Sequence, residues 1–196
     1  LTQALDHSHL ERLASDVLEP NTLPRGTRTN PGTLLSARYE VVPFVRAGRT
    51  AELETLAQWC HEDDTAVSAR LFTGPGGSGK TRLFIEWSKQ LRQQGWAAGF
   101  LPKALSADDR NILIANTAHL LIVIDYAELR QDLVALLEAV VRGPVHSTKI
   151  RIALLARADS EWWQALQEHS EEVRHLFEHL PMHLASLQMD GDIRAE

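Results

Sequence analysis

The stretch Gly74-Pro75-Gly76-Gly77-Ser78-Gly79-Lys80-Thr81 decides the reading of this chain. It satisfies the spacing G-x-x-x-x-G-K-[ST] in full. Residues without a Cβ let successive backbone N–H groups turn inward around a phosphate. A helix that begins where the loop ends aims its positive dipole end at the same oxygens. In this pattern Gly74, Pro75, Gly76, Gly77, Ser78, Gly79, Lys80, Thr81 and the following Arg82 form a nucleotide cradle. Lys80 reaches the β- and γ-phosphates, and the Thr81 hydroxyl is a magnesium ligand. A glycine-rich turn without chemistry is the plain alternative, and the flanks argue against it. Val67, Ala69 and Leu71 alternate with polar residues, which predicts a strand entering the loop. Leu83, Phe84, Trp87 and Leu91 predict an amphipathic helix leaving it, stopped by Gly95.

Moving outward, a phosphate loop needs a carboxylate nearby to hold magnesium, directly or through water. The continuous apolar run Leu120 to Ile124 predicts a strand buried on both faces, and Asp125 ends it. That end is the edge where open α/β sheets bind ligands, so Asp125 is the second expected magnesium ligand. Glu128, three residues on, is a candidate to polarise the water that attacks the γ-phosphate. An exposed glutamate opening the next helix is the competing reading. Tyr126 stands where many active ATPases carry a second acid, so slow hydrolysis is expected. Arg157 closes Leu154-Leu155-Ala156-Arg157 and is expected beside the γ-phosphate, where a guanidinium separates triphosphate from diphosphate. A surface salt bridge is the alternative for it.

The rest of the pattern alternates strands with helices. Thr50 to Trp59 places Leu53, Leu56, Ala57 and Cys60 on one helical face, and the polar His61-Glu62-Asp63-Asp64 ends that helix. Trp96 to Leu101 predicts a second strand and Ile150 to Ala156 a fourth, with Met182 to Leu187 a weaker fifth. Leu133 to Val141 reads as a helix closed by Gly143-Pro144. Asp159 or Ser160 caps another through Trp162, Trp163 and Leu166. The fold class is therefore α/β: a P-loop NTPase three-layer α/β/α sandwich around a mainly parallel, about five-stranded sheet.

Ahead of this unit, Leu5, Leu10, Leu13, Ala14, Val17 and Leu18 recur at near-helical spacing. Pro20 to Thr33 has linker composition, and Tyr39 to Val45 reads as extended. The expected division is residues 1–38 as an N-terminal helix and linker, 39–190 as the nucleotide-binding domain, and 191–196 as the start of a downstream region. The first 30 residues read equally as part of this domain or as the tail of an upstream one. A first residue of Leu1 and an open last segment give the expectation of a piece of a longer protein.

Composition excludes several classes. With 20 Lys plus Arg against 26 Asp plus Glu, the net charge of −6 argues against a nucleic-acid footprint spread over the whole protein. No apolar stretch approaches the roughly 20 residues of a membrane span, and no signal peptide opens the chain, so cytoplasm is the expectation. One cysteine, Cys60, excludes an intramolecular disulfide and a cysteine-rich zinc site; beside Trp59 and Leu56 it reads as a buried apolar thiol. His175, His179 and His183 share a four-residue spacing, but Pro181 breaks it, which disfavours a metal role. Of Trp162 and Trp163, one is expected in the core and the other half-buried. Thr148-Lys149-Ile150-Arg151 lacks the aspartate of a guanine-reading element, and no Leu-Ser-Gly-Gly-Gln transporter signature is present, so adenine is favoured.

In their order these motifs resemble the nucleotide-binding domain of bacterial STAND NTPases, relatives of the NB-ARC and NACHT switch ATPases in the AAA-like branch. Val42-Pro43-Phe44 followed by Gly48-Arg49-Thr50-Ala51-Glu52-Leu53 is similar to the family's Phe-x-Gly-Arg-Glu-x-Glu-Leu segment. Here Arg46 and Ala47 are inserted and Thr50 replaces the usual glutamate. The phosphate loop, Asp125-Tyr126-Ala127-Glu128 and Leu154-Leu155-Ala156-Arg157 followed by Trp162-Trp163 complete the resemblance, which spans Tyr39 to about Leu187. It implies ATP or ADP with Mg2+ as ligands, and Phe44, Val45 and Arg49 against the adenine. It further implies slow ATP hydrolysis in a multidomain switch for signalling or antiphage defence. Such a switch has an upstream effector, downstream helical, winged-helix and repeat-sensor parts, and self-association on activation. Two other functions fit the same motifs: a continuously cycling AAA-like ATPase, and an interaction module with a vestigial phosphate loop.

Overall fold

A computed structural model describes residues 14–19, 44–143 and 148–186. The expected linker, most of the extended run ahead of Phe44, Leu187 and residues 191–196 lie outside the described residues. Five strands form one sheet: β1 (Val67–Thr73), β2 (Ala97–Phe100), β3 (Leu120–Asp125), β4 (Ile150–Leu155) and β5 (Met182–His183). Their order is β2-β3-β4-β1-β5, and every pairing is parallel.

Parallel strands need crossovers, and helices supply them here. They are α1 (Thr50–Ala57), α2 (Lys80–Gln93), α3 (Ala107–Ile114), α4 (Leu133–Val141), α5 (Glu161–His169) and α6 (Glu171–His175). Because side chains alternate along a strand, each buried strand feeds two cores. Leu71, Ile122, Ile124, Ile152 and Leu154 meet Leu136, Leu137, Val140, Trp163, Leu166 and Val173 of α4 to α6 on one face. Phe72, Leu121, Val123, Ala153 and Leu155 meet Leu53, Leu56, Leu83, Phe84, Trp87 and Leu91 of α1 and α2 on the other. This is the expected three-layer α/β/α sandwich.

The N-terminal segment joins the first of these cores. Residues 14–17 are helical, Ala14 and Leu18 are buried, and Glu19 forms an antiparallel bridge with Phe100 on the free edge of β2. Two backbone bonds close it, Glu19 N–H to Phe100 O at 2.9 Å and Phe100 N–H to Glu19 O at 2.7 Å. An open edge of this kind is a template for unwanted pairing, and the bridge covers it.

Several expectations need correction. β1 is buried on both faces although its apolar residues alternate with polar ones: Ser68 is enclosed and accepts a 2.9 Å bond from the indole N–H of Trp59. The helix from Thr50 does not run unbroken to Trp59; α1 ends at Ala57 and continues as a five-residue π turn, Gln58–Glu62. Arg151 accounts for that turn. Fully buried in β4, it donates from Nε to Trp59 O at 2.8 Å, from Nη2 to Asp63 O at 2.7 Å and from Nη1 to Thr65 O at 2.8 Å. One carbonyl of the turn, that of Trp59, and two from the segment that leaves it, Asp63 and Thr65, are thus capped from inside the sheet.

The fifth strand is only Met182–His183 among the described residues, because it pairs at one side with the last two residues of β1. Ser160 sits at the N-cap of α5 without a side-chain capping bond, whereas Ser170 caps α6 by accepting from Val173 N–H. Helices α3 and α6 were not expected. Neither has a long apolar period: α3 buries only Leu113 and is held by a capping box between Ser106 and Asp109. Trp163 is buried and Trp162 half-buried, as expected. Cys60 is fully buried, and desolvation pushes its thiol up to about 12.

Candidate nucleotide-binding site

The site lies at the carboxyl edge of the sheet, where β1, β3 and β4 end side by side. β1 runs into the loop from Gly74 to Gly79, and α2 starts at Lys80. Two glycines are required by geometry. A Cβ on Gly74 would collide with the carbonyl oxygen of Leu184 just beyond β5, and Gly79, the residue before α2, has φ of +88°. Pro75, Gly76 and Gly77 form the exposed tip, while Ser78 is buried.

Lys80 turns back into the loop. Its ammonium donates to Gly74 O at 2.6 Å, to Pro75 O at 3.2 Å and to Ser78 Oγ at 3.4 Å. Burial lowers its pKa, Asp125 and Glu128 draw it back up, and the Arg157 charge pushes it down again. The charges of all three side chains thus act on the ammonium.

Thr81 Oγ1 donates to Asp125 Oδ2 at 3.1 Å, joining the first turn of α2 to the end of β3. The other Asp125 oxygen, Oδ1, accepts the Tyr126 N–H at 3.1 Å. Tyr126 has φ of +55°, an unusual backbone state for a bulky residue, and it is exposed. This turn leads directly into a 3-10 segment, Ala127–Leu129, so Glu128 does not open the next helix, which begins at Leu133. Instead Glu128 faces β4: Oε1 accepts the Arg157 N–H at 3.4 Å, and Oε2 is buried without a hydrogen-bond partner. A left-handed tyrosine gives no sequence signal, because that conformation is expected of glycine or asparagine.

Arg157 is exposed, and its backbone carbonyl accepts the Gly74 N–H at 3.3 Å, lacing β4 to the base of the loop. Arg82 pairs with Glu86 one turn along α2 at 2.9 Å. Of the three residues expected against the base, Phe44 is half-buried on the α1–α2 core and Val45 is exposed. Arg49 is buried, 3% exposed. Its guanidinium is buried under the loop, donating to Ser78 O at 2.5 Å, Ala185 O at 2.8 Å and Glu52 Oε1 at 2.5 Å. The i, i+3 spacing of Arg49 and Glu52 was the one sequence signal of that pairing.

The three histidines serve separate ends. His179 binds Asp63 Oδ2 at 2.7 Å, His183 Nδ1 lies 3.3 Å from Thr73 Oγ1, and His175 faces Glu171. Among the described residues no group of three or more His, Cys, Asp or Glu is placed to hold a metal ion. A magnesium site beside a phosphate loop does not need such a group, since one hydroxyl, one carboxylate, water and the nucleotide's own oxygens suffice. Thr81 and Asp125 supply the first two at one point, so the donor set fits.

A five-stranded parallel sheet of order β2-β3-β4-β1-β5, with a G-x-x-x-x-G-K-T loop between β1 and α2, is a P-loop NTPase-like fold. No protein-family profile matches the sequence, and no curated protein matches it significantly. Solved structures do match. One is the Orc1 protein of Aeropyrum pernix, in complex with DNA, 16% identical with a TM-score of 0.46. The similarity covers 79% of this chain and 48% of that one, so this chain spans about half its length. Among the described residues no helix is long and apolar enough to cross a membrane.

Proposed function

We propose that this domain binds ATP or ADP with magnesium at the carboxyl edge of its sheet and acts as a slowly hydrolysing regulatory switch within a larger protein. The observation that carries the reading is the Thr81–Asp125 bond at 3.1 Å beside the Lys80 ammonium. A hydroxyl and a carboxylate converge where the loop would hold the terminal phosphates. Bound there, magnesium would neutralise charge on the β- and γ-phosphate oxygens. Lys80 exchanges its bonds to loop carbonyls for the phosphates, and the loop N–H groups hold the same oxygens.

Glu128 takes the proton of the attacking water; its carboxylate has spare acceptor capacity, since Oε2 has no hydrogen-bond partner. Arg157 senses the terminal phosphate from the neighbouring strand. The Arg157 backbone N–H donates to Glu128 Oε1 in a long bond of 3.4 Å, which supports a contact between the two residues that responds to the γ-phosphate, as a switch needs. With Tyr126 in place of a second acid, turnover is slow. The resemblance to STAND NTPases supports the wider setting: a cytoplasmic signalling or antiphage-defence protein, with an upstream effector, downstream helical, winged-helix and sensor parts, and self-association on activation.

The test is calorimetric titration of ATP and ADP, each with magnesium, into this chain and into its Lys80→Ala variant. Binding by the former and its loss in the latter is expected. Equal behaviour of the two proteins would instead leave the phosphate loop without a role.

A further inference from the structure

We propose that Arg49 is a positioning residue for phosphate: by holding the Ser78 carbonyl from beneath the loop, it aims the Gly79 N–H at the nucleotide. The inference rests on the nucleotide-binding reading above and assigns Arg49 a different part in it from contact with the base.

The argument starts from peptide geometry. A trans peptide is planar, and its C=O and N–H point in opposite directions. The Ser78 carbonyl accepts from Arg49 Nη2 at 2.5 Å, and the hydrogen bond is buried. The N–H on the other side of that peptide belongs to Gly79, so it is turned away from Arg49 and toward the concave side of the loop. Gly79 then enters α2 with φ of +88°. A peptide next to a left-handed residue is easily flipped when unrestrained, and a flip here would aim a carbonyl at the phosphate instead of a donor.

Arg49 is itself held firmly. It is 3% exposed, Glu52 binds Nη1, and Nη2 is shared between Ser78 O and Ala185 O at 2.8 Å. A planar guanidinium serves three acceptors in fixed directions, which a single ammonium does poorly. Gly79 also matters on this side, because a Cβ there would stand 3.7 Å from Nη2, so the loop passes directly over the guanidinium. The residue thereby joins three parts of the chain: the start of α1, the phosphate loop, and the segment that leaves β5.

A positioning role differs from a merely structural one in what it does to ligand discrimination. Competition of ADP and AMP against a fluorescent ADP analogue, with magnesium, reads the part of the affinity that the loop adds through the β-phosphate. For Arg49→Met the ratio of ADP to AMP affinity should fall about tenfold, the scale of one hydrogen bond to a charged group. Wild-type binding with an unchanged ratio in the variant would overturn the positioning role and leave the nucleotide reading standing. Failure of the wild-type chain to bind any nucleotide would remove both. Should Arg49→Met not fold, Arg49→Lys carries the same test, since it keeps the charge but has one nitrogen for three acceptors.

Discussion

Thr81 and Asp125 are 44 residues apart in the chain and 3.1 Å apart in space, the hydroxyl of one donating to the carboxylate of the other. The donated proton leaves the lone pairs of Thr81 Oγ1 facing away from the acid, ready for a cation. Thr81→Ala and Asp125→Asn should each weaken magnesium-dependent ATP binding by roughly tenfold. With both assigned to one ion by the proposed function, the double variant should lose less than the product of the two. Titrations with and without magnesium check this; an affinity whose magnesium dependence survives in Asp125→Asn would contradict it.

Glu128 Oε2 is a buried acceptor with no partner, an arrangement that costs free energy unless something else occupies it. Glu128→Gln preserves shape while removing the base. Nucleotide affinity should be unchanged and hydrolysis slower by about 100-fold or more. A phosphate-release assay under saturating ATP measures the second, and equal turnover in the two proteins would end the proposed role.

The sheet and its helices were legible because β3 is apolar from Leu120 to Ile124, β4 is apolar but for Arg151, and α2 has a strong apolar period. The phosphate loop was legible because glycine spacing is itself the mechanism. The places that escaped are those where a tertiary contact overrides local pattern. The π turn at Gln58–Glu62 depends on Arg151, 89 or more residues later, and nothing near Trp59 announces it. Tyr126 adopts a conformation that its side chain disfavours. The burial of Arg49 had no local signal beyond Glu52, because two of its three acceptors, the Ser78 and Ala185 carbonyls, come from distant parts of the chain.

Arg151 offers a direct measure of that tertiary control. Replacing it with methionine fills the same space but leaves the carbonyls of Trp59, Asp63 and Thr65 without their donor. The expected loss is about 3 kcal/mol, the scale for orphaned buried polar groups. Urea unfolding checks it. Cys60, inert while buried, should then react with a thiol reagent faster than in the wild type, because the turn that carries it opens more often.

Acid should weaken the fold in two stages. His119 is stacked on Trp96 at 4.9 Å and accepts the Lys149 N–H at Nδ1. Desolvation, with the nearby Lys149, His61 and Arg151 charges, lowers its pKa from 6.5. The folded state thus favours the neutral ring, and stability present above 6.5 declines as pH falls below it. For Asp63, burial raises the pKa, but the His179 and Thr65 hydrogen bonds and the Arg151 charge outweigh it and bring the carboxyl from 3.8 to about 2. Its contribution is complete above 3.8 and is lost as pH falls toward 2. Melting temperature followed against pH should show both declines. His119→Asn should flatten the first and Asp63→Asn the second.

Gly99 tests whether residues 14–19 are an integral part of this domain. A Cβ at Gly99 would stand 2.7 Å from Glu19 O and 3.1 Å from Leu18 Cβ, closer than packed atoms allow. Gly99→Ala must therefore push the N-terminal segment off the β2 edge, losing the Glu19–Phe100 bridge and part of the burial of Leu18. The expected cost is about 1–3 kcal/mol, as for other overpacked sites. Nothing else on β2 is crowded by that methyl, so in a chain lacking residues 1–19 the same substitution should be close to neutral. It should even favour the strand slightly, since alanine restricts the unfolded chain more than glycine does. Urea unfolding of the four proteins gives the coupling directly. A Gly99→Ala cost that is the same with and without the segment would mean that the segment docks too weakly to matter.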